Sequence, residues 1–164
     1  MEEICYRPIG VIHSPFKDSK GVPIQSLFSK DTEGKVELFP EYREGLKDLN
    51  GFSHIILIYH FHRSKSPKLI VTPFLDPAPR GVFSTRAPSR PNPIGISIVR
   101  LMKIEDNILH ISEIDILDGT PLLDIKPYVP GFDIRNEARG GWLGKGLKQP
   151  IRVKDDGRFS KDRG

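Results

Sequence analysis

The sequence predicts a mainly β domain, a small closed or partly closed barrel with one short helix and long loops. Three observations lead there. Short apolar runs recur between clusters of Pro, Gly, Asn and Asp. Only residues 40–52 combine helical periodicity with start and stop signals. Helices do not alternate with strands, which argues against a doubly wound parallel sheet.

Taken in order, YRPIGVIHSP (6–15) reads as a strand, with Ile9 and Val11 in its body and Ser14-Pro15 at its end. Residues 16–34 are polar with scattered apolar positions and read as a long loop, a length often associated with function. KVELF (35–39) is a short strand. PEYREGLKDLNGF (40–52) is the helix: Pro40 suits its first turn, Glu41 its positive end, Tyr42, Leu46 and Leu49 one face, and Asn50-Gly51 its stop. SHIILIYHFHRS follows as a buried strand whose end alternates, Tyr59 and Phe61 one way, His60 and His62 the other. LIVTPF is a short strand stopped by prolines. IGISIVRLMKI (94–104), the turn 105–107 and ILHISEIDILDG (108–119) form a β-hairpin, with a bulge where the phase shifts between Ile111 and Ile114. PLLDIKPYVPGFD is an extended, proline-punctuated segment.

At 164 residues the chain suits one domain with a tail. The expected division is a barrel over 1–138 and a basic, partly flexible extension over 139–164. That extension holds eight Lys/Arg and three Asp/Glu, a net of +5, whereas the rest sums to −1. Such a tail fits a polyanion such as RNA, or serves only as a solubilising end. The longest apolar run, IILIY, is too short to cross a membrane, and the acidic N-terminus lacks a secretion signal. Cys5 is alone, so neither an internal disulfide nor a cysteine-rich zinc site is available. A reduced, cytoplasmic setting is expected.

Familiar nucleotide-binding and nucleophile-elbow motifs are missing, and GGWLGKG lacks their spacing. His60 and His62 share a strand face without a third metal ligand in view; packing is the plainer role, and no metal is expected. More informative is GVFSTRAPSRPNPIGIS (81–97). Arg80, Arg86, Arg90 and Arg100 lie in a stretch with no acidic residue between 77 and 104. Guanidinium forks suit carboxylate or phosphate, and prolines at 88, 91 and 93 stiffen the loop. The competing role is structural pairing with Asp115, Asp118 or Asp124. DGTP (118–121) forms a tight turn offering a carboxylate, a hydroxyl and backbone groups. Two stiff polar loops of this kind can frame one pocket.

GVFSTRAPSRPNPIG, followed by DILDGTPLLDIKPYVP, resembles the TsaA-like (TrmO-type) methyltransferase family. IGVIHSPFK, GVPIQ and GFSHIILIYHFH agree as well, so the resemblance spans about residues 6–133. It implies a β-barrel methyltransferase that uses S-adenosylmethionine and works as a homodimer with its cofactor sites near the interface. Bacterial members methylate N6 of a threonylcarbamoyl-adenosine beside the tRNA anticodon, which makes tRNA the expected partner. Carried onto this chain, the cofactor site would draw on Gln25, Ser26, Leu27, His62, Arg63, Arg86, Asp118, Gly119, Thr120 and Pro121. Arg90 and Asn92 would contact substrate, organise the loop or reach across the dimer. Asp118 is the candidate acceptor for the proton of the reacting N–H. The resemblance is to the short form, without the bacterial C-terminal domain. Methylation of another substrate, and a non-enzymatic nucleotide-binding module, are the alternatives.

Overall fold

The computed structural model describes residues 2–24, 29, 31–145 and 154–160. Its strands are β1 (Gly10–His13), β2 (Glu33–Leu38), β3 (His54–His60), β4 (Ile70–Val71), β5 (Arg80–Gly81), β6 (Ile94–Glu105), β7 (Ile108–Ser112) and β8 (Thr120–Pro127). Six of them close into a barrel in the order β1-β2-β7-β6-β3-β8, while β4 and β5 form a separate two-stranded ribbon. Every neighbouring pair of the barrel is antiparallel. Closure leaves the barrel without a sheet edge.

Alternation along the strands sets the core. Ile55, Leu57 and Tyr59 of β3 point inward, as do Val99 and Leu101 of β6 and Leu109 and Ile111 of β7. Ile12, Val36, Leu38, Ile114, Ile116 and Leu122 complete the cluster. Each such side chain contributes about 1.5–3 kcal/mol through burial. A second, smaller cluster lies outside the barrel: Val71, Val82, Ala87 and Phe159, with Phe74 against them. Phe159 comes from the basic extension. Its segment is pinned by the Gly21 amide donating to the Asp155 carbonyl, the Asp155 amide donating to the Val22 carbonyl, and the Lys65 amide donating to the Phe159 carbonyl.

Local geometry departs from the sequence reading in four places. Residues 40–52 form 3-10 turns, Pro40–Leu46 and Leu49–Gly51, instead of one α-helix. Asp48 between them is left-handed (φ 64°), which breaks the axis and brings both Leu46 and Leu49 onto the core. The hairpin's second strand ends at Ser112, because Glu113 is left-handed (φ 65°). That turn, and not a bulge, resets the phase toward Ile114. The bulge sits on the partner strand, where the register skips between Leu101 and Lys103. Residues 120–127, expected only to be extended, pair with both β1 and β3 and close the barrel. The α-helical turn Pro130–Asp133 lies in the same proline-punctuated stretch.

Candidate functional site

The Asp-Gly-Thr-Pro turn is bolted to the end of β1. Ser14 donates its amide to Asp118 Oδ1 (3.0 Å) and its hydroxyl to the Ile116 carbonyl (2.6 Å). Asp118 and Gly119 return backbone bonds to Phe16 and Ile12. Gly119 adopts φ +73°, a conformation that a side chain would strain. Lys17 reaches Asp118 Oδ2 at 2.6 Å, and His13 lies 3.8 Å from Oδ1. The Lys17 hydrogen bond, opposed by partial burial and aided by the Ser14 amide, holds Asp118 below the usual carboxylate range. An ionised carboxylate with both oxygens engaged is a poor proton acceptor. Through these contacts Asp118 clamps the turn.

Thr120 links this turn to the end of β3. Its hydroxyl donates to the Leu117 carbonyl (2.7 Å) and lies 3.3 Å from His62 Nδ1. With its proton committed, the Thr120 oxygen accepts, which assigns the His62 proton to Nδ1. Burial, with Arg63 and His60 adding to it, lowers the His62 pKa, so the ring is neutral at neutral pH. Arg63 donates to the Lys17 carbonyl (2.7 Å).

The arginine loop is organised from within. Arg90 donates through Nη1 to the carbonyls of Thr85 (2.9 Å) and Val82 (3.1 Å), and its guanidinium lies over the Phe83 ring. Thr85 caps the same turn, donating to Val82 and accepting from the Ala87 amide. Arg90 thus ties the loop together. Arg80 pairs with Asp76, just before the acid-free stretch, and lies over the Trp142 ring. Its partner is none of the three aspartates considered from sequence. Asn92 is exposed beside the loop's final turn, where the Ile94 amide donates to its carbonyl.

Between this loop and the barrel lies a cavity of about 790 Å³. Its walls are largely apolar and aromatic: Tyr59, Phe61, Phe74, Phe83, Trp142 and Phe159. Arg86, Arg90, Asp115 and Thr120 are among its polar groups, and Asp155 lies at the side of the extension. Burial pushes Asp155 above the ordinary carboxylate value, with the Gly157 amide opposing. Tyr59 and Phe61 meet edge to face at 5.3 Å. Gly95 makes room for them, since a Cβ there would lie 2.2 Å from the Tyr59 ring. That is a physical reason for glycine in the IGIS segment.

Of the residues singled out from sequence, Arg86, Arg90 and Thr120 line the cavity. His62, Arg63 and Asp118 do not line it but form a bonded chain leading away from Thr120. Gly119 and Pro121 flank Thr120 in the same turn. Gln25, Ser26 and Leu27 lie outside the described residues; Ile24, just before them, lines the cavity. The sequence reading gave Asp115 only as a structural partner for the arginines, and it discounted the glycine-rich motif that holds Trp142. Trp142 donates its indole N–H to the Ser84 carbonyl (2.8 Å), which seats that motif on the arginine loop.

A closed antiparallel barrel whose two polar loops frame an aromatic cavity defines a small-molecule or nucleotide site of normal size. Residues 11–134 match the family described as the tRNA-methyltransferase O N-terminal domain, and the chain belongs to that family. It is 64% identical over 156 residues to a Pyrococcus abyssi protein named "Probable S-adenosyl-L-methionine-binding protein", covering 95% of this chain and 85% of the relative. It is 36% identical over 140 residues to the Escherichia coli tRNA (adenine(37)-N6)-methyltransferase, covering 79% of this chain and 60% of that one. The crystal structure of TrmO from Pseudomonas aeruginosa superposes with a TM-score of 0.73 at 40% identity, over 86% of this chain and 63% of that one.

Proposed function

We propose that this chain binds S-adenosylmethionine in the cavity and methylates N6 of an adenosine in tRNA. The observation that carries the reading is the cavity itself. Its aromatic walls suit an adenine ring and a thioether chain, and Arg86 and Asp115 bring opposite charges to a ligand with both a carboxylate and a cationic centre. Family membership and the names of the relatives support the same cofactor and reaction.

When bound, S-adenosylmethionine supplies a methyl group on a sulfonium, and its transfer leaves a neutral thioether while the nucleophile sheds a proton. The chain's own contribution is positioning and the exclusion of water. Arg90 and the prolines hold Arg86 in place, Thr120 presents its hydroxyl group from a clamped turn, and the aromatic walls keep the site dry. The adenine N6 is a weak nucleophile, so a near-attack geometry supplies much of the acceleration. The finer substrate is a threonylcarbamoyl-adenosine beside the anticodon, as the family resemblance implies; cytoplasmic tRNA is its setting. Loss of the N6-methylated threonylcarbamoyl nucleoside from total tRNA of a deletion strain, read by mass analysis, is the expected outcome. An unchanged nucleoside profile would refute that substrate.

The functional unit is a homodimer. Register pairs Ile56 with Ile98 and Ile58 with Ile96 on the outer barrel face, and Ile96 remains 55% exposed. This apolar face is continuous with Ile94 and Ile96 at the cavity. Ile96→Lys with Ile98→Lys is expected to give monomers in sedimentation; a dimer that survives them uses another face. The barrel over 1–138 and the extension's Trp142 and Phe159 together hold the cofactor, and the extension's basic residues add contacts to RNA phosphates.

The decisive experiment is calorimetric titration of S-adenosylmethionine into the parent and Arg86→Ala. Binding to the parent and at least tenfold weaker binding to a folded variant are expected. A parent that takes up no cofactor would overturn the reading.

A further inference from the structure

The basic extension lies beyond the family-matched residues 11–134, yet part of it is built into the cavity wall. Residues 154–160 join three loops of the molecule. Lys154 forms a β-bridge with Pro23, and Ser160 forms one with Ser64. Arg158 donates to the carbonyls of Thr72 and Pro73, both at 3.3 Å, and its guanidinium lies 4.9 Å from the centre of the Phe74 ring. Phe74 in turn meets Phe159 edge to face at 5.2 Å. A segment tied at both ends and in its middle holds its side chains in fixed places. Asp155 and Phe159 are the side chains it gives to the cavity.

Asp155 is half-buried. Its Oδ1 accepts from the Gly157 amide at 2.7 Å, and its Oδ2 has no hydrogen-bond or ion-pair partner among the described residues. Arg158, whose charge reaches Asp155, directs its Nε to both oxygens of Asp156 instead (3.0 and 2.9 Å). Burial first and the Asp156 charge next to it work against the ionised form of Asp155. A ligand that brings donors to Oδ2 relieves that penalty. Each oxygen of a carboxylate offers about two acceptor sites, so Oδ2 matches a pair of neighbouring hydroxyls. The cavity sorts an adenosine ligand by polarity. The flat ring suits the aromatic wall of Tyr59, Phe61 and Phe83, and charged ends suit Arg86 and Asp115. The sugar, neutral and rich in hydroxyls, suits the half-buried side where Asp155 stands. We propose that Asp155 is a specificity-determining residue that accepts hydrogen bonds from the ribose hydroxyls of an adenosine bound in this cavity. The inference rests on the reading of the cavity as a site for an adenosine cofactor and an adenosine target. Both carry a ribose: the cofactor offers its 2′- and 3′-hydroxyls, a nucleoside within RNA only its 2′-hydroxyl.

The test measures a preference for hydroxyls, which a residue that only holds its own segment would not change. The parent and Asp155→Asn are titrated with S-adenosylhomocysteine and with its 2′-deoxy and 3′-deoxy analogues. In parallel they are titrated with two anticodon stem-loops that differ only in adenosine or 2′-deoxyadenosine beside the anticodon. The parent is expected to prefer the hydroxyl-bearing member of one set by about tenfold or more. In Asp155→Asn the Gly157 amide holds the side-chain oxygen, and an uncharged NH₂ group faces the cavity. The preference then falls to about threefold or less. The set that responds identifies the source of the ribose. Asp155→Ser, whose hydroxyl still accepts from Gly157, carries the test should Asp155→Asn fail to fold. Asp156→Asn removes the neighbouring charge and is expected to keep the parent's preference; an equal loss there overturns the proposal. Absence of any preference in the parent overturns it too. So does a preference that survives in Asp155→Asn, or a variant that weakens all members of a set alike, the pattern of a carboxylate holding a cation or its own segment. A parent that binds these ligands without preference sinks only this inference; one that binds no adenosine ligand sinks the reading beneath it as well.

Discussion

Leu57 and Tyr59 sit two residues apart on the same face of β3 and serve different regions. Leu57 is fully buried among aliphatic side chains inside the barrel. Tyr59 is nearly as buried, yet its ring forms part of the cavity wall and its hydroxyl enters a polar chain. The barrel interior tolerates apolar side chains of suitable shape, because hydrophobic burial is non-directional. The cavity requires particular atoms at particular distances. Around it, stiffness comes from polar ties: Arg90 to loop carbonyls, Ser14 to the Asp-Gly-Thr-Pro turn, Trp142 to Ser84. One strand therefore carries both stability and recognition, divided by position along its length.

The largest expected effect tests the barrel side. Leu57→Ala should cost about 2–5 kcal/mol in denaturant unfolding, with the cofactor affinity of the folded fraction unchanged. Weakened affinity at full folding would show that the two regions are coupled. Gly95→Ala probes their boundary. Its Cβ would displace the Tyr59 ring, so a cost of about 1–3 kcal/mol is expected together with a loss of cofactor affinity. A neutral variant would show that the ring has room to move.

Phe159→Ala addresses the far wall. Phe159 belongs to the outer cluster, held by few backbone ties. About 1–2 kcal/mol of global stability is expected to be lost, less than for Leu57→Ala despite the larger side chain. Amide exchange at Asp155 and Lys65 should accelerate while the barrel amides stay protected. A loss as large as that of the barrel variant would merge the two clusters into one cooperative unit.

The smallest effects are electrostatic and opposite in sign. Asp118 is depressed in the folded state, so its contribution is present above the ordinary carboxylate value of about 3.9 and is lost as pH falls through its folded value. Asp118→Asn should flatten the acid limb of stability below about pH 4. Asp155 is raised, so its contribution is present below that ordinary value and is lost as pH rises through its folded value. Asp155→Asn, which can still accept from Gly157, should match or slightly exceed the parent in thermal unfolding at pH 7. Equal responses from both variants would mean that the turn and the extension share one electrostatic environment.

Much of the fold was legible because strand alternation and turn residues act locally. The hairpin of β6 and β7 and the inward positions of β3 follow from period-two patterning. The 3-10 geometry of residues 40–51 was not legible, since the left-handed Asp48 follows from seating Leu46 and Leu49 on a barrel end. In the site, Arg86, Arg90 and Thr120 stood out by composition and by resemblance. Asp115 entered only as a structural partner for the arginines, because its bond to Ser97 and its place in the cavity wall are set by barrel closure.

The sequence by itself determined an antiparallel β domain, its loop chemistry and its family. Those depend on side-chain periodicity, turn propensities and contiguous motifs, all of which are local. Only the tertiary structure decided that the barrel closes through β8, that Arg90 binds its own loop, and that the basic extension lends Phe159 to the cavity. It alone joined Tyr59, Ser97 and Asp115 into one polar chain. These are contacts between residues far apart in sequence, and their partners are chosen by closure and packing, which no local pattern encodes.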